Sequence, residues 1–185
     1  MISSIEVENT IIPILRVPYF SQEDADHLCF VYSFLMLMEF FKNIYSNEKL
    51  RQIIPNTTKD ELISLTKSEY GTGTSFSPQL IKDLNKAFPN MHFHLKLGTK
   101  FVDIADSLKI FHPVIVIYNI SQLLYNEEGP SHAAVVIGLN DDFIVLNNPW
   151  KGWAYVVNRT EFERVWEIEG YRAIFVSPQA QKGVE

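Results

Sequence analysis

A single cysteine, Cys29, ends the polar stretch SQEDADHLC and opens the apolar run FVYSFLMLMEFF. A thiol in that position has two readings. It can be a small buried hydrophobe beside a core helix. It can also be a nucleophile, because free backbone N–H groups and the helix dipole at a helix start favour a thiolate. Asp24 and Asp26 oppose extra negative charge there, so a nucleophile would need a base. His132, following EEGPS at the start of an apolar strand pattern, is a candidate. An imidazole titrating near neutrality can take a thiol proton. This reading predicts a Cys29 thiol that titrates below the ordinary value and returns toward it without His132.

Two further residues fit such a site. HAAVVIGLNDDFIVLNNPW reads as a hairpin turning near residue 140, midway between His132 and Asn148. A side-chain amide oxygen at Asn148 could accept the imidazole N–H and set its tautomer. A two-residue turn would put Asn148 on the opposite face, so the pairing needs an odd-length loop or a bulge. If the register favours its neighbour, Asn147 takes the role. Gln22, seven residues before Cys29, could join the Cys29 backbone N–H in binding an oxyanion. Each residue has an ordinary structural alternative, and the specificity lies in their order.

Elements must position these groups. IIPILRVPYF reads as extended, held out of helix by Pro13 and Pro18. DADHLCFVYSFLMLMEFFKNIY reads as a central helix with Asp26 as N-cap. TTKDELISLTKSEY is a second helix, with Thr58 and Glu61 at capping-box spacing. GTGTSFSPQLIKDLNKAF is a loop and a third helix, with Ser77 as N-cap and Pro78 as first residue. Its glycines lack the Gly-Lys-Ser/Thr of a phosphate loop. MHFHLKL reads as a strand and KFVDIADSLKIF as a short helix. PVIVIYNI, SHAAVVIGLN, DFIVLNNP, WAYVV and YRAIFVSP read as strands, with one or two helical turns at RTEFERVW. Helices followed by an antiparallel sheet make an α+β, two-lobed domain over residues 1–178. The helical lobe covers about 20–90 and the β lobe about 91–178, and residues 179–185 read as a flexible tail.

The 185 residues suit one domain, and 46% apolar content supports a packed core. Net charge −6 without a basic patch argues against a nucleic-acid partner. One cysteine forms no internal disulfide, so a reducing compartment is allowed. The N-terminus lacks the pattern of a signal peptide. The longest apolar run, Leu28 to Met38, is 11 residues, too short to span a bilayer. The expectation is a soluble, cytoplasmic protein with no membrane insertion. His92 and His94 share a strand face, but no third ligand is near in sequence, so no metal and no cofactor is expected. His27 reads as solvated and His112 as structural. Trp150, Trp153 and Trp166 read as core or cleft wall.

With these residues together, the chain resembles papain-like cysteine peptidases, most of all the bacteriocin-processing, double-glycine leader peptidases and their stand-alone relatives. VPYFSQ before a helix-start cysteine, GTSFSPQLIKDLNKAF, HPVIVIYN, SHAAVVIGLNDDFIVLNNPW and FERVWEIEGYRAIFVSP carry the resemblance over nearly the whole chain. The resemblance implies a papain-like fold with a central helix starting at the nucleophile. It also implies Cys29 as nucleophile, His132 as general base, Asn148 as orienter and Gln22 at the oxyanion position. The implied reaction is hydrolysis of a peptide or isopeptide bond in a peptide or protein substrate through an acyl-thioester. A thiol acyltransferase and an inactive peptide-binding module are the alternatives on the same scaffold. Two departures stand out. The orienting position, often aspartate in these relatives, is Asn148. Phe30 follows the cysteine where the family usually has glycine; a ring there could cover the sulfur and favour the binding-module alternative.

Overall fold

The computed structural model describes residues 1–22, 27–45, 48–70 and 72–179. The elements run β1 (Ile2–Val7), β2 (Thr10–Leu15), α1 (Cys29–Ile44), α2 (Glu48–Ile53), α3 (Lys59–Thr66), α4 (Pro78–Ala87), β3 (Met91–Lys96), α5 (Phe101–Lys109), β4 (Val114–Asn119), α6 (Ile120–Tyr125), β5 (Ser131–Leu139), β6 (Phe143–Asn148), β7 (Gly152–Asn158), α7 (Arg159–Glu167) and β8 (Ala173–Pro178). Strands β3 to β8 form one antiparallel sheet in the order β3-β8-β4-β5-β6-β7. β1 and β2 form a separate hairpin.

The middle of the sheet, β4 to β6, is buried on both faces, which explains why β4 and β6 are apolar at consecutive positions rather than alternating. On one face, α1 and the hairpin pack on Ile115, Ile117, Ala133, Val135 and Ile137. On the other, Phe101 and Ile104 of α5 and Phe162, Val165 and Trp166 of α7 pack on Val114, Val116, Ala134 and Val136. The helices are therefore not confined to the N-terminal half, because two-sided strands need a second apolar layer. Helix α7 is accordingly longer than the turn or two expected, with Asn158 Oδ1 accepting the Thr160 and Glu161 N–H groups at its start.

Capping chemistry is as read. Thr58 and Glu61 close a reciprocal box at α3. Ser77 caps α4, with Pro78 as its first residue. Helix α1 differs: its N-cap is Leu28, with no side-chain cap bond, and Asp26 lies outside the described residues. Strand β1 and helices α2 and α6 carry too short or too polar a pattern to stand out, and were not expected. Gln179 is tied to the fold, its N–H donating to Asn90 O at 2.8 Å; residues 180–185 lie outside the described residues.

The β5–β6 hairpin turns through Asp141 and Asp142, closed by Asn140 N–H donating to Phe143 O at 2.9 Å. Asn140 Oδ1 also accepts the Asp142 and Phe143 N–H groups. Beyond the turn, Leu139 pairs with Ile144 and Gly138 with Val145; the register then shifts, so Val136 pairs with Leu146 and Val135 with Asn147. At this bulge the N-terminal hairpin crosses β5. A Cβ on Gly138 would sit 2.6 Å from Pro13 O and 2.7 Å from Ile14 Cγ2. Gly138→Ala should therefore displace the hairpin and lower unfolding stability by about 1–3 kcal/mol, read from urea denaturation midpoints.

Candidate active site

Cys29 is the first residue of α1 and is 5% exposed. One turn on, Ser33 Oγ donates to Ala133 O at 3.3 Å, which fixes the helix against the start of β5. Ala133 is the neighbour of His132, so the helix start and the strand start meet here. Cys29, His132 and Gln22 line one cavity of about 330 Å³, walled further by Phe76, Ile120 and Trp150.

His132 Nε2 lies 3.0 Å from Asn148 Oδ1. The bulge is what permits it. Continuing the shifted register places Asn148 across from Ala134, on the face that carries His132. The tautomer follows from the amide's other bonds. Asn148 Oδ1 also accepts the backbone N–H groups of Trp150 (2.9 Å) and Lys151 (3.0 Å), and Nδ2 donates to Tyr118 Oη at 2.9 Å. With Oδ1 held as the acceptor, His132 Nε2 must carry the proton and Nδ1 keeps its lone pair.

Asn147 faces the other way. Its Nδ2 donates to Val17 O at 2.9 Å and to Pro18 O at 3.4 Å, and its Oδ1 accepts Ala154 N–H. It staples the segment leading to Gln22. Gln22 N–H in turn donates to Pro149 O at 2.9 Å, and Tyr19 Oη to the same carbonyl at 3.4 Å. Gln22 is 3% exposed, and its Oε1 is buried with no hydrogen-bond partner among the described residues.

Burial sets the electrostatics. Desolvation pushes the Cys29 thiol above its ordinary value, with backbone hydrogen bonds pulling partly back. Desolvation also drives His132 down to about 4, opposed by the Asn148 bond and assisted by the Lys151 charge. The direction at Cys29 is opposite to that expected from the helix terminus alone: water loss outweighs the dipole, and the resting pair is thiol and neutral imidazole.

Phe30 does not cover the sulfur. It is 0% exposed and makes edge contacts with Phe34 and Phe76 in the core. His27 is not solvated: it is half-buried, its Nδ1 has no partner among the described residues, and its ring meets Tyr70 edge-on. Trp150 and Trp153 are exposed and Trp166 is core. His92 and His94 stack, and His112, half-buried against Phe41, lines the same groove. Among the described residues no group of three or more ligating side chains could hold a metal. Also among them, no helix is long and apolar enough to cross a membrane. Tyr118 was missed as a site residue; in VIVIYN it reads as one more apolar strand position.

The Peptidase_C39 like family matches residues 14–174, and the chain belongs to that family. Three solved structures resemble it. The first is a candidate C39-like peptidase from Bacillus anthracis (TM-score 0.64, 19% identity, covering 91% of this chain and 98% of that one). The second is the peptidase domain of Streptococcus ComA, a bifunctional ABC transporter involved in a quorum sensing pathway (0.59, 17%, 89% and 100%). The third is a double glycine motif protease from an AMS/PCAT transporter in complex with the leader peptide (0.56, 18%, 92% and 100%). No curated protein matches the chain. The α+β fold with its antiparallel sheet is thus that of C39 peptidases.

Two outcomes follow. Phe30→Gly should cost about 3–5 kcal/mol of stability without opening the cavity, read by denaturation and by an unchanged rate of Cys29 alkylation in the folded state. For His132, the folded value lies below the unfolded one, so the unfolded chain binds more protons between about pH 6.5 and 4. Stability should fall by about 2–3 kcal/mol as pH drops through that window. His112, also lowered by burial, adds a slope of the same sign. The His132 share is the difference between wild type and His132→Phe in urea titrations at pH 7 and 4.5.

Proposed function

We propose that the chain is a cysteine peptidase cleaving peptide or isopeptide bonds, with residues 1–178 as one papain-like, two-lobed catalytic domain. The observation that carries this is the His132–Asn148 bond of 3.0 Å, whose partners leave Nδ1 as the free base in the cavity shared with Cys29. As a peptide carbonyl docks, Nδ1 takes the Cys29 proton and the sulfur forms a bond to the carbonyl carbon. The oxyanion is held by the Cys29 N–H and the Gln22 amide. The imidazolium returns the proton to the leaving amine as the C–N bond breaks, giving an acyl-thioester. A water, deprotonated by His132, then displaces the sulfur and releases the acid. Because the resting pair is neutral, proton transfer accompanies attack instead of preceding it.

Family membership and the leader-peptide complex of one similar structure support a peptide substrate. The inward packing of Phe30 removes the feature that favoured an inactive binding module. The test is covalent labelling with a peptide acyloxymethyl ketone at pH 7. Wild type should form one adduct at Cys29, and Cys29→Ala none. His132→Ala should label about 10²–10⁴-fold more slowly, the usual contribution of a general base. Labelling that is insensitive to His132 would sink the proposal. With small alkylating reagents and no peptide, the Cys29 thiol should titrate above its ordinary value.

A further inference from the structure

Tyr118 has no role in the chemistry above, yet it touches both halves of the base. It sits directly across from His132 in the β4–β5 ladder. Its ring meets the imidazole edge-on, with centroids 5.6 Å apart at 86°. Its hydroxyl is the acceptor for Asn148 Nδ2 at 2.9 Å. On its far side it packs on Phe162, with centroids 5.1 Å apart. Tyr118 and Asn148 are each 0% exposed.

This geometry solves a problem that an amide at position 148 creates. A carboxylate has only acceptors, and the Trp150, Lys151 and His132 N–H groups could satisfy one. An amide brings two N–H donors as well, here in a place closed to water. A buried donor without an acceptor is costly, and the amide would gain by turning away from His132. The Tyr118 hydroxyl gives Nδ2 its acceptor while Oδ1 stays on the imidazole. Burial also keeps that hydroxyl protonated, its value lying well above the ordinary one.

We propose that Tyr118 is a positioning residue that locks the Asn148 amide and the His132 ring into one unit, so that Nδ1 stays aimed into the cavity. This rests on the thiol mechanism proposed above. Tyr118 does not meet substrate; it acts through Asn148 and His132.

Tyr118→Phe keeps the ring and removes only the acceptor. With the peptide acyloxymethyl ketone, kinact should fall about tenfold, the scale set by one buried N–H losing its partner, while KI stays within about twofold because the cavity wall is untouched. ¹⁵N-correlated NMR gives a second readout that needs no chemistry at Cys29. Wild type should show the Nε2–H tautomer of His132, with slow exchange of that proton and of the Asn148 side-chain amide. In Tyr118→Phe both should exchange at least tenfold faster. A variant whose kinact is within twofold of wild type, or whose exchange rates are unchanged, overturns the assignment. Should Tyr118→Phe not fold, wild type decides: slow Asn148 side-chain exchange supports the lock, and fast exchange overturns it. Failure of the peptidase reading would appear separately, as a wild-type chain that the ketone does not label at Cys29.

Discussion

The site depends on one extra residue in β5. A two-residue turn joins β5 to β6, and its register alone would set Asn147, not Asn148, on the face of His132. The bulge between Val136 and Gly138 reverses the alternation for every position beyond it. Asn148 then meets His132, and Asn147 turns to staple the segment leading to Gln22. The same bulge is where the N-terminal hairpin crosses, over a glycine that leaves no room for a Cβ. The His132–Asn148 pairing, loop anchoring and hairpin docking thus share one local irregularity.

The central strands are covered on both faces, and hydrogen bonds offset the burial of the polar side chains there. Asn148 places one oxygen on three donors and one N–H on Tyr118. At the edge strand β3, Asn85 does similar work: its amide bonds both the N–H and the C=O of Phe93, each at 2.9 Å, satisfying the backbone on the side away from β8, where among the described residues no further strand pairs. The same loss of water keeps Cys29 and His132 neutral at rest. A helix start favours a thiolate in an exposed site; at 5% exposure, desolvation is the larger effect.

Much of this was legible residue by residue. The capping box at Thr58 and Glu61, the Ser77-Pro78 start and the β-branched runs of β4 to β8 act through neighbours a few positions away, so local sequence carries them. Cys29, His132, Asn148 and Gln22 were legible as candidates by type and order. Less visible were β1, α2 and α6, whose short patterns gain their stability from packing, and α7, whose length answers to the second sheet face. The upward push of burial on the Cys29 thiol is not written in the flanking residues.

Sequence by itself determined the capped helices α3 and α4, the β-branched strands β4 to β8, the candidates Cys29, His132, Asn148 and Gln22, and the requirement that the hairpin contain an irregularity if Asn148 was to serve. Only the tertiary structure decided which asparagine faces His132, that Phe30 turns into the core, and that Tyr118 accepts an N–H of the Asn148 amide. Those outcomes depend on strand register and on contacts between residues up to 130 positions apart, such as Asn147 with Val17. A register is a collective property of two paired strands, and no single residue type specifies it.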